Sequence, residues 1–394
     1  MEREARWLLP EGVDELLPPH AAEAEALRRE LIDLHAAWGY ELVMPPFIEY
    51  LDSLLTGTGH GLDLQTFKLT DQLSGRLLGV RADMTPQAAR IDAHQLRRAE
   101  VTRLCYVGST LQARPEGPAG SRNPVQLGAE VYGHPSFESD VEIISLLLET
   151  LRTAGITSLH LDLGHVGVFR ELVREARLEP ETEQELFEAL QRKAGDDMLR
   201  CLHEAGVGEE RRARLVTLAR LHGGTEVLAE AERELSGAGR PVADALAELR
   251  SVADALAQRE PELPLHFDLG ELRGYRYQTG VVFAAYVPGH GRALARGGRY
   301  DGIGRAFGRH RPATGYSADL KTLLALGGVE RRAPAAEPGG VLAPWGNDPA
   351  LIEKVRALRA GGERVVWSLP GDACRHACDR RLVERQGEWD IEDI

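Results

Sequence analysis

Cysteine is scarce in this chain of 394 residues: four are present, at Cys105, Cys201, Cys374 and Cys378. They are too few and too scattered to staple a secreted module, and they suit a reducing cytoplasm. Positive charge is also short, with 47 Lys and Arg against 61 Asp and Glu, a net −14. Affinity for nucleic acid comes mainly from cations that neutralise phosphates, so a dedicated nucleic acid binder is not expected. No stretch approaches the roughly 20 apolar residues that span a bilayer. The first residues carry Glu2, Arg3, Glu4 and Arg6 before a short Trp7-Leu8-Leu9, without an apolar export core, so no membrane span or secretion is expected. Repeats of 20–50 residues and low-complexity tracts are absent as well.

What remains is an ordinary folded composition, 43% apolar and 27% charged, long enough for two or three domains of roughly 100–200 residues each. Leu27, Leu31, Leu34 and Trp38 recur at helical spacing, predicting a helix from about His20 to Trp38 that Gly39 stops. Tyr40 to Met44 reads as a strand ended by Pro45-Pro46, since proline cannot donate to a ladder. Further strands are expected at Leu77–Val80, Leu104–Val107, Val125–Tyr132, Leu159–Leu163, Leu265–Leu269 and Val281–Tyr286, and a helix at Val141–Ala154. Irregular connections between these strands, in place of regular crossover helices, point to an α+β fold with an antiparallel sheet flanked by helices. Residues 167–260 turn rich in Leu, Ala, Glu and Arg and read as a helical insertion in a core spanning 1–328. A Pro- and Ala-rich linker follows at 329–340, then a small α/β domain or remnant of one at 341–394.

Strand Val125–Val131 places Gln126, Gly128 and Glu130 on one face. A ligand the size of an amino acid could lie over the bare Gly128 between them; a plain solvated sheet face gives the same alternation. Arg273-Gly274-Tyr275-Arg276-Tyr277-Gln278 offers arginine forks and phenols for a carboxylate or a ring nitrogen, or forms an exposed aromatic hairpin. Gly297-Gly298-Arg299-Tyr300-Asp301-Gly302 reads as a glycine-punctuated turn. Asp83 and Thr85 are placed to accept from an ammonium or to cap a turn. Arg114 to Arg122 is a loop with two arginines, able to meet a phosphate or simply mobile. Cys374, His376 and Cys378 lack the usual tetrahedral spacing and a fourth ligand, so no metal is expected.

Taken as a colinear set, Gly39–Glu49, Arg81–Thr85, Gln126–Glu130, Leu272–Gly274 and Gly297–Gly302 resemble the histidyl-tRNA synthetase core, a class II synthetase fold, over about Leu9 to Leu326. The resemblance implies that Gly39–Glu49 forms a self-dimer interface and that the other segments line a histidine pocket. Asp83, Thr85 and Gln126 would meet the α-amino group, Glu130 a ring nitrogen, Tyr277 and Tyr300 the imidazole surroundings, and Arg273 the carboxylate. Gln278 stands where that family usually has a second tyrosine.

The ATP half departs from the pattern. Leu111 and Pro124 fall where the family has the α-phosphate arginine and the adenine-stacking aromatic. Asp319 falls at a motif glycine, and Lys321-Thr322 where a Glu-Arg pair is expected. Arginines preorganised on a transferring group are worth several kcal/mol of barrier, so adenylation is not expected. A kept amino acid pocket beside a dismantled ATP site resembles the regulatory subunit family of ATP phosphoribosyltransferase. That family implies no catalytic residues and no cofactor in this chain, a hetero-octamer with the short-form catalytic subunit, and a part in feedback by histidine. An active histidyl-tRNA synthetase, and a histidine-binding module serving another enzyme, are the alternatives.

Overall fold

The computed structural model describes residues 7–57, 60–115, 120–272, 274–275, 277–327, 339–372 and 376–394. Two compact units separate, one of Met1–Glu15 with Arg28–Val329 and the other of Leu16–Leu27 with Glu330–Ile394.

In the first unit the strands are β1 (Glu41–Leu42), β2 (Ile48–Tyr50), β3 (Phe67–Thr70), β4 (Leu77–Val80), β5 (Thr102–Ser109), β6 (Val125–Tyr132), β7 (His160–His165), β8 (His222–Gly223), β9 (Leu265–Asp268), β10 (Val281–Tyr286), β11 (Ala295–Arg299) and β12 (Ala313–Asp319). Nine of them form one sheet in the order β1-β5-β6-β12-β11-β10-β7-β9-β8, and β2-β4-β3 form a second. The large sheet is antiparallel throughout except at β1–β5 and β7–β9. It is thus an α+β fold. The expected strand at Tyr40–Met44 shrinks to Glu41–Leu42, and only the Val43 amide carries the pairing onward, donating to the Cys105 carbonyl at 2.9 Å.

The helix Glu138–Thr153 underlies this sheet, packing against β6, β10, β11 and β12. Its Val141, Ile143, Ile144, Leu146, Leu147, Leu148 and Leu151 are all buried. Each such side chain contributes about 1.5–3 kcal/mol on burial. Glu138 and Asp140 sit in the first turn and Arg152 in the last, each matching the helix dipole, and Gly155 with φ +89° turns the chain away.

Between β7 and β9 the chain runs through helices Val166–Ala176, Pro180–Gln191, Gly195–Glu204, Glu209–Thr217, Glu226–Glu234 and Gly239–Arg259, with β8 returning to pair with β9. The last of these buries Val242, Leu246, Leu249, Val252 and Leu256, the stripe its spacing predicts.

Gly297, Gly298 and Arg299 belong to β11, correcting the expected turn, which is confined to the residues after Tyr300. The glycines are there for packing: a Cβ on Gly297 would stand 2.4 Å from the Phe283 ring and 2.2 Å from the Gly315 carbonyl.

In the second unit, β13 (Val341–Pro344) and β14 (Val365–Ser368) pair in parallel through the helix Pro349–Ala360, whose N-terminus Asp348 caps by accepting from Ala350 and Leu351 amides. The acidic end is a strand. β15 (Arg380–Arg385) and β16 (Glu388–Asp393) form a hairpin on β13, closed by Gln386 and Gly387, both at positive φ, the geometry that two-residue hairpin loops require. Val341, Ala343, Leu351, Val355, Val365 and Leu382 make its core.

Candidate ligand-binding site

One face of the large sheet is nearly bare of side chains along a diagonal. Register places Glu130 beside Gly315, Gly315 beside Gly298, and Gly298 beside Val282, itself beside Gly164. Directly opposed residues share a face, so these small residues leave a hollow. The hollow is a cavity of about 420 Å³, within the range of small-molecule sites.

Glu130 rises from β6 into this cavity and is 1% exposed. A Cβ on Gly315 would lie 1.6 Å from its Oε2, so glycine at 315 is what makes room for the carboxylate. Tyr106 donates to Glu130 Oε1 at 2.9 Å, and Tyr300 donates to Oε2. Burial pushes the Glu130 carboxyl up to about 8, against the two phenolic hydrogen bonds that favour its ionised form. Tyr277 stacks on Tyr300 with ring centroids 4.9 Å apart and planes at 20°.

At the other end, Asp83 Oδ1 accepts from the Gln126 amide at 2.7 Å and from the Thr85 backbone at 2.9 Å. Gln126 Oε1 in turn accepts from the Met84 amide at 2.8 Å. Gln126 therefore orders the turn that presents Asp83 and Thr85. Thr85 Oγ1 lies 2.9 Å from the Tyr106 hydroxyl, so one phenol bridges the Asp83–Thr85 end to the Glu130 end.

The structure brings Asp83, Thr85, Gln126, Glu130, Tyr277 and Tyr300 together; Arg273 lies outside the described residues. Two local expectations are corrected. Gly128 does not hold space open for a ligand, because the Tyr106 hydroxyl would stand 2.4 Å from a Cβ there. The described residues of the 273–280 segment form no hairpin: Tyr275 and Tyr277 diverge, Tyr275 donating to Glu183 in the helical lobe at 2.8 Å while Tyr277 lines the cavity. Tyr106 was not picked out from the sequence. Its signal is a tyrosine directly across from a glycine, which only the β5–β6 register reveals.

A second cleft of about 1090 Å³ adjoins the first, sharing Asp83, Gly274, Arg296 and Ser317. Pro124, Asp319, Lys321 and Thr322 line it. Asp319 caps the helix Leu320–Leu326, its carboxylate accepting from the Lys321 and Thr322 amides, the Thr322 hydroxyl and the Val125 amide. Lys321 Nζ pairs with Asp14 at 3.1 Å. Helix N-termini draw anions, and this one is already filled by its own side chain. Arg122 is spent on the frame of its loop, donating to the Gln112 and Glu11 carbonyls. Among the described residues no group of three or more His, Cys, Asp or Glu is placed to hold a metal, and no helix is long and apolar enough to cross a membrane. Cys374 lies outside the described residues.

This sheet and its floor of small residues define a class II aminoacyl-tRNA synthetase-like chain. Residues 12–323 match the histidyl-tRNA synthetase family model, and a solved histidyl-tRNA synthetase from Nostoc superposes with a TM-score of 0.74 over 98% of this chain and 94% of that one, at 18% identity. Residues 338–392 match the ATP phosphoribosyltransferase subunit HisZ C-terminal domain. The ATP phosphoribosyltransferase regulatory subunit of Alkalilimnicola ehrlichii is 61% identical over 98% of this chain and 96% of its own, and that of Thioalkalivibrio sulfidiphilus 57% over 99% of both. A solved ATP phosphoribosyltransferase regulatory subunit/histidyl-tRNA synthetase from Bacillus halodurans is 28% identical, with a TM-score of 0.80 over 94% of this chain and 95% of that one. The chain belongs to the ATP phosphoribosyltransferase regulatory subunit family, a finding that favours a regulatory role over an active synthetase.

Proposed function

We propose that this chain is a non-catalytic regulatory subunit that joins the short-form catalytic subunit of ATP phosphoribosyltransferase in a hetero-octamer, supports the first step of histidine biosynthesis in the cytoplasm, and binds histidine as a feedback signal. The carrying observation is the contrast between the two clefts: an acidic, aromatic pocket with Asp83, Thr85 and Glu130 in place, beside a cleft whose helix end is occupied by Asp319. In this reading Asp83 and Thr85 take the ammonium, Glu130 the ring, and Arg273 the carboxylate. The core at 1–328 with its insertion does the sensing, and residues 341–394 form a separate small domain. Cofactor, nucleic acid and membrane have no part in it.

Feedback requires that histidine bind two assembly states unequally, since a ligand with equal affinity for both shifts nothing. Reconstitution tests the reading. Adding this chain to the short catalytic subunit is expected to raise its phosphoribosyltransferase rate and to make that rate sensitive to histidine, while the chain alone gives no histidine-dependent ATP–pyrophosphate exchange. An unchanged rate, or exchange by the chain alone, overturns it.

Self-dimerisation is supported by an apolar strip along β1, β2 and the small sheet, where Leu42, Met44, Phe47, Ile48, Leu73 and Leu77 are exposed. Met44 is 75% exposed, so Met44→Asp leaves the monomer core untouched and is expected to shift sedimentation from dimer to monomer. A variant that sediments as the wild type places the interface elsewhere.

A further inference from the structure

Residues 90–101 and 301–312 reverse the sign of the chain: together they hold six arginines and two histidines against three carboxylates, in a sequence of net charge −14. The fold joins them into one surface. His94 sets its ring edge-on to Phe307, centroids 6.0 Å apart, and the Arg98 carbonyl accepts from Arg311 at 3.0 Å and from Arg309. Beneath them Ala89, Ala93, Ile303 and Phe307 share an apolar cluster with Tyr300, and Tyr277 packs against it. The surface therefore lies one packed layer behind the wall of the first cavity.

Part of this charge is spent on the frame. Arg311 pairs with Asp92 at 2.8 Å, Arg90 pairs with Glu49 at 2.6 Å, Arg98 forks onto Glu41, and Asp301 accepts from the Ala313 amide at 2.9 Å. What is left over is positive. Among the described residues Arg97 and Arg305 are exposed and meet no carboxylate, His94 and His310 are exposed as well, and Glu100 is the one exposed carboxylate of the two segments. Arg97 also closes the π-helical turn Ile91–Leu96 at φ +51°, its amide donating to the Asp92 carbonyl at 2.9 Å. Glycine is the least strained residue in that left-handed region, so a long cation is held there against the backbone's preference.

An arginine-rich surface on an acidic chain is suited to meet an opposite charge. Nucleic acid fits poorly, because its affinity scales with the phosphates neutralised and so few guanidiniums on a chain of this net charge neutralise little. A second copy across a two-fold axis fits poorly too, since it sets like charge against like. An acidic protein surface meets neither objection.

We propose that His94, Arg97, Arg305 and His310 form the docking surface for an acidic face of the phosphoribosyltransferase catalytic subunit. This rests on the regulatory-subunit reading above. It places the partner directly behind Tyr300, where docking and occupancy of the pocket act on one apolar cluster.

Interferometry of the full chain on immobilised short-form catalytic subunit, at low and high salt, tests the surface. The wild type is expected to bind, and to bind more weakly at high salt. Arg97→Glu and Arg305→Glu are each expected to weaken binding about tenfold and to flatten its salt dependence, while melting as the wild type does because both side chains are exposed. Arg97→Gly removes the cation and relaxes the backbone, so it is expected to melt no lower than the wild type yet to bind the partner more weakly. If it melts lower and binds as the wild type, Arg97 serves only the helix end and the surface is overturned. Charge variants that bind the catalytic subunit like the wild type overturn the surface and leave the regulatory reading intact. Variants that change only the sedimentation of the chain alone assign the patch to self-association, and an RNA oligonucleotide captured by the wild type but not by the variants assigns it to nucleic acid; either result overturns the proposal. A wild-type chain that binds no catalytic subunit overturns both the surface and the reading.

Discussion

Glu130→Gln is expected to melt at a higher temperature than the wild-type chain at pH 8 while losing its affinity for histidine. Burial raises the Glu130 carboxyl from its ordinary value of 4.5 to about 8 in the folded chain. A raised carboxyl contributes stability that is fully present below about 4.5, where both folded and unfolded chains are protonated. That contribution is lost as pH climbs through about 8, where the folded chain must carry a buried charge. Glutamine keeps the shape, and the Tyr106 and Tyr300 hydroxyls can rotate to serve its amide. The variant's advantage therefore grows from pH 4.5 to pH 8, to on the order of a few kcal/mol or several degrees in Tm. Histidine affinity is expected to fall about 10-fold, the worth of one buried hydrogen bond. Thermal scans of the ligand-free chain at pH 5 and pH 8 decide the matter: a variant less stable than the wild type at pH 8 contradicts the assigned cost of Glu130.

Arg299→Ala is expected to have the opposite sign and a larger size. Arg299 and Asp140 form a buried pair at 2.8 Å, and the guanidinium also donates to Ser139 Oγ and to the Ser136 and His134 carbonyls. Removing one partner of such a pair costs about 3–5 kcal/mol because the other charge stays buried alone. Asp140 is already pushed up to about 6 by burial, which Arg299 partly offsets. Without the arginine it rises further. The deficit of the variant is therefore smallest in acid, where Asp140 is protonated in either chain, and grows as pH rises through 6. Chemical denaturation at pH 5 and pH 8 measures it; equal deficits at both would show that packing, not charge, dominates this site.

How much could be read before the fold was known differs by element. Val125–Tyr132 and Val281–Tyr286 were legible to the residue because β-branched and aromatic side chains run between clear stops. The helices Glu138–Thr153 and Gly239–Arg259 followed from apolar spacing. β11 and β12 were hidden because Ala295-Arg296-Gly297-Gly298-Arg299 carries the local mark of a turn, while the reason for its glycines lies far away in sequence, in Phe283 and Gly315. The closing hairpin at Gln386-Gly387 was hidden by the acidic residues around it. Asp83, Thr85, Gln126, Glu130, Tyr277 and Tyr300 were nameable from residue type and resemblance. Tyr106 and Gly315 were not, since each matters only through its cross-strand partner. Local pattern carries periodicity; register and close approach are properties of the assembled sheet.

On the proposed reading, in which this chain does not use ATP, the capped end of the helix Leu320–Leu326 shuts the second cleft to anions. The second cleft is roomy, yet Asp319 is a tethered anion whose effective concentration at the helix end far exceeds that of any free phosphate. A nucleotide would have to displace a competitor that never leaves. One carboxylate in the covalent chain thus achieves what filling the cleft with bulk would have done, without disturbing the wall that the neighbouring pocket shares.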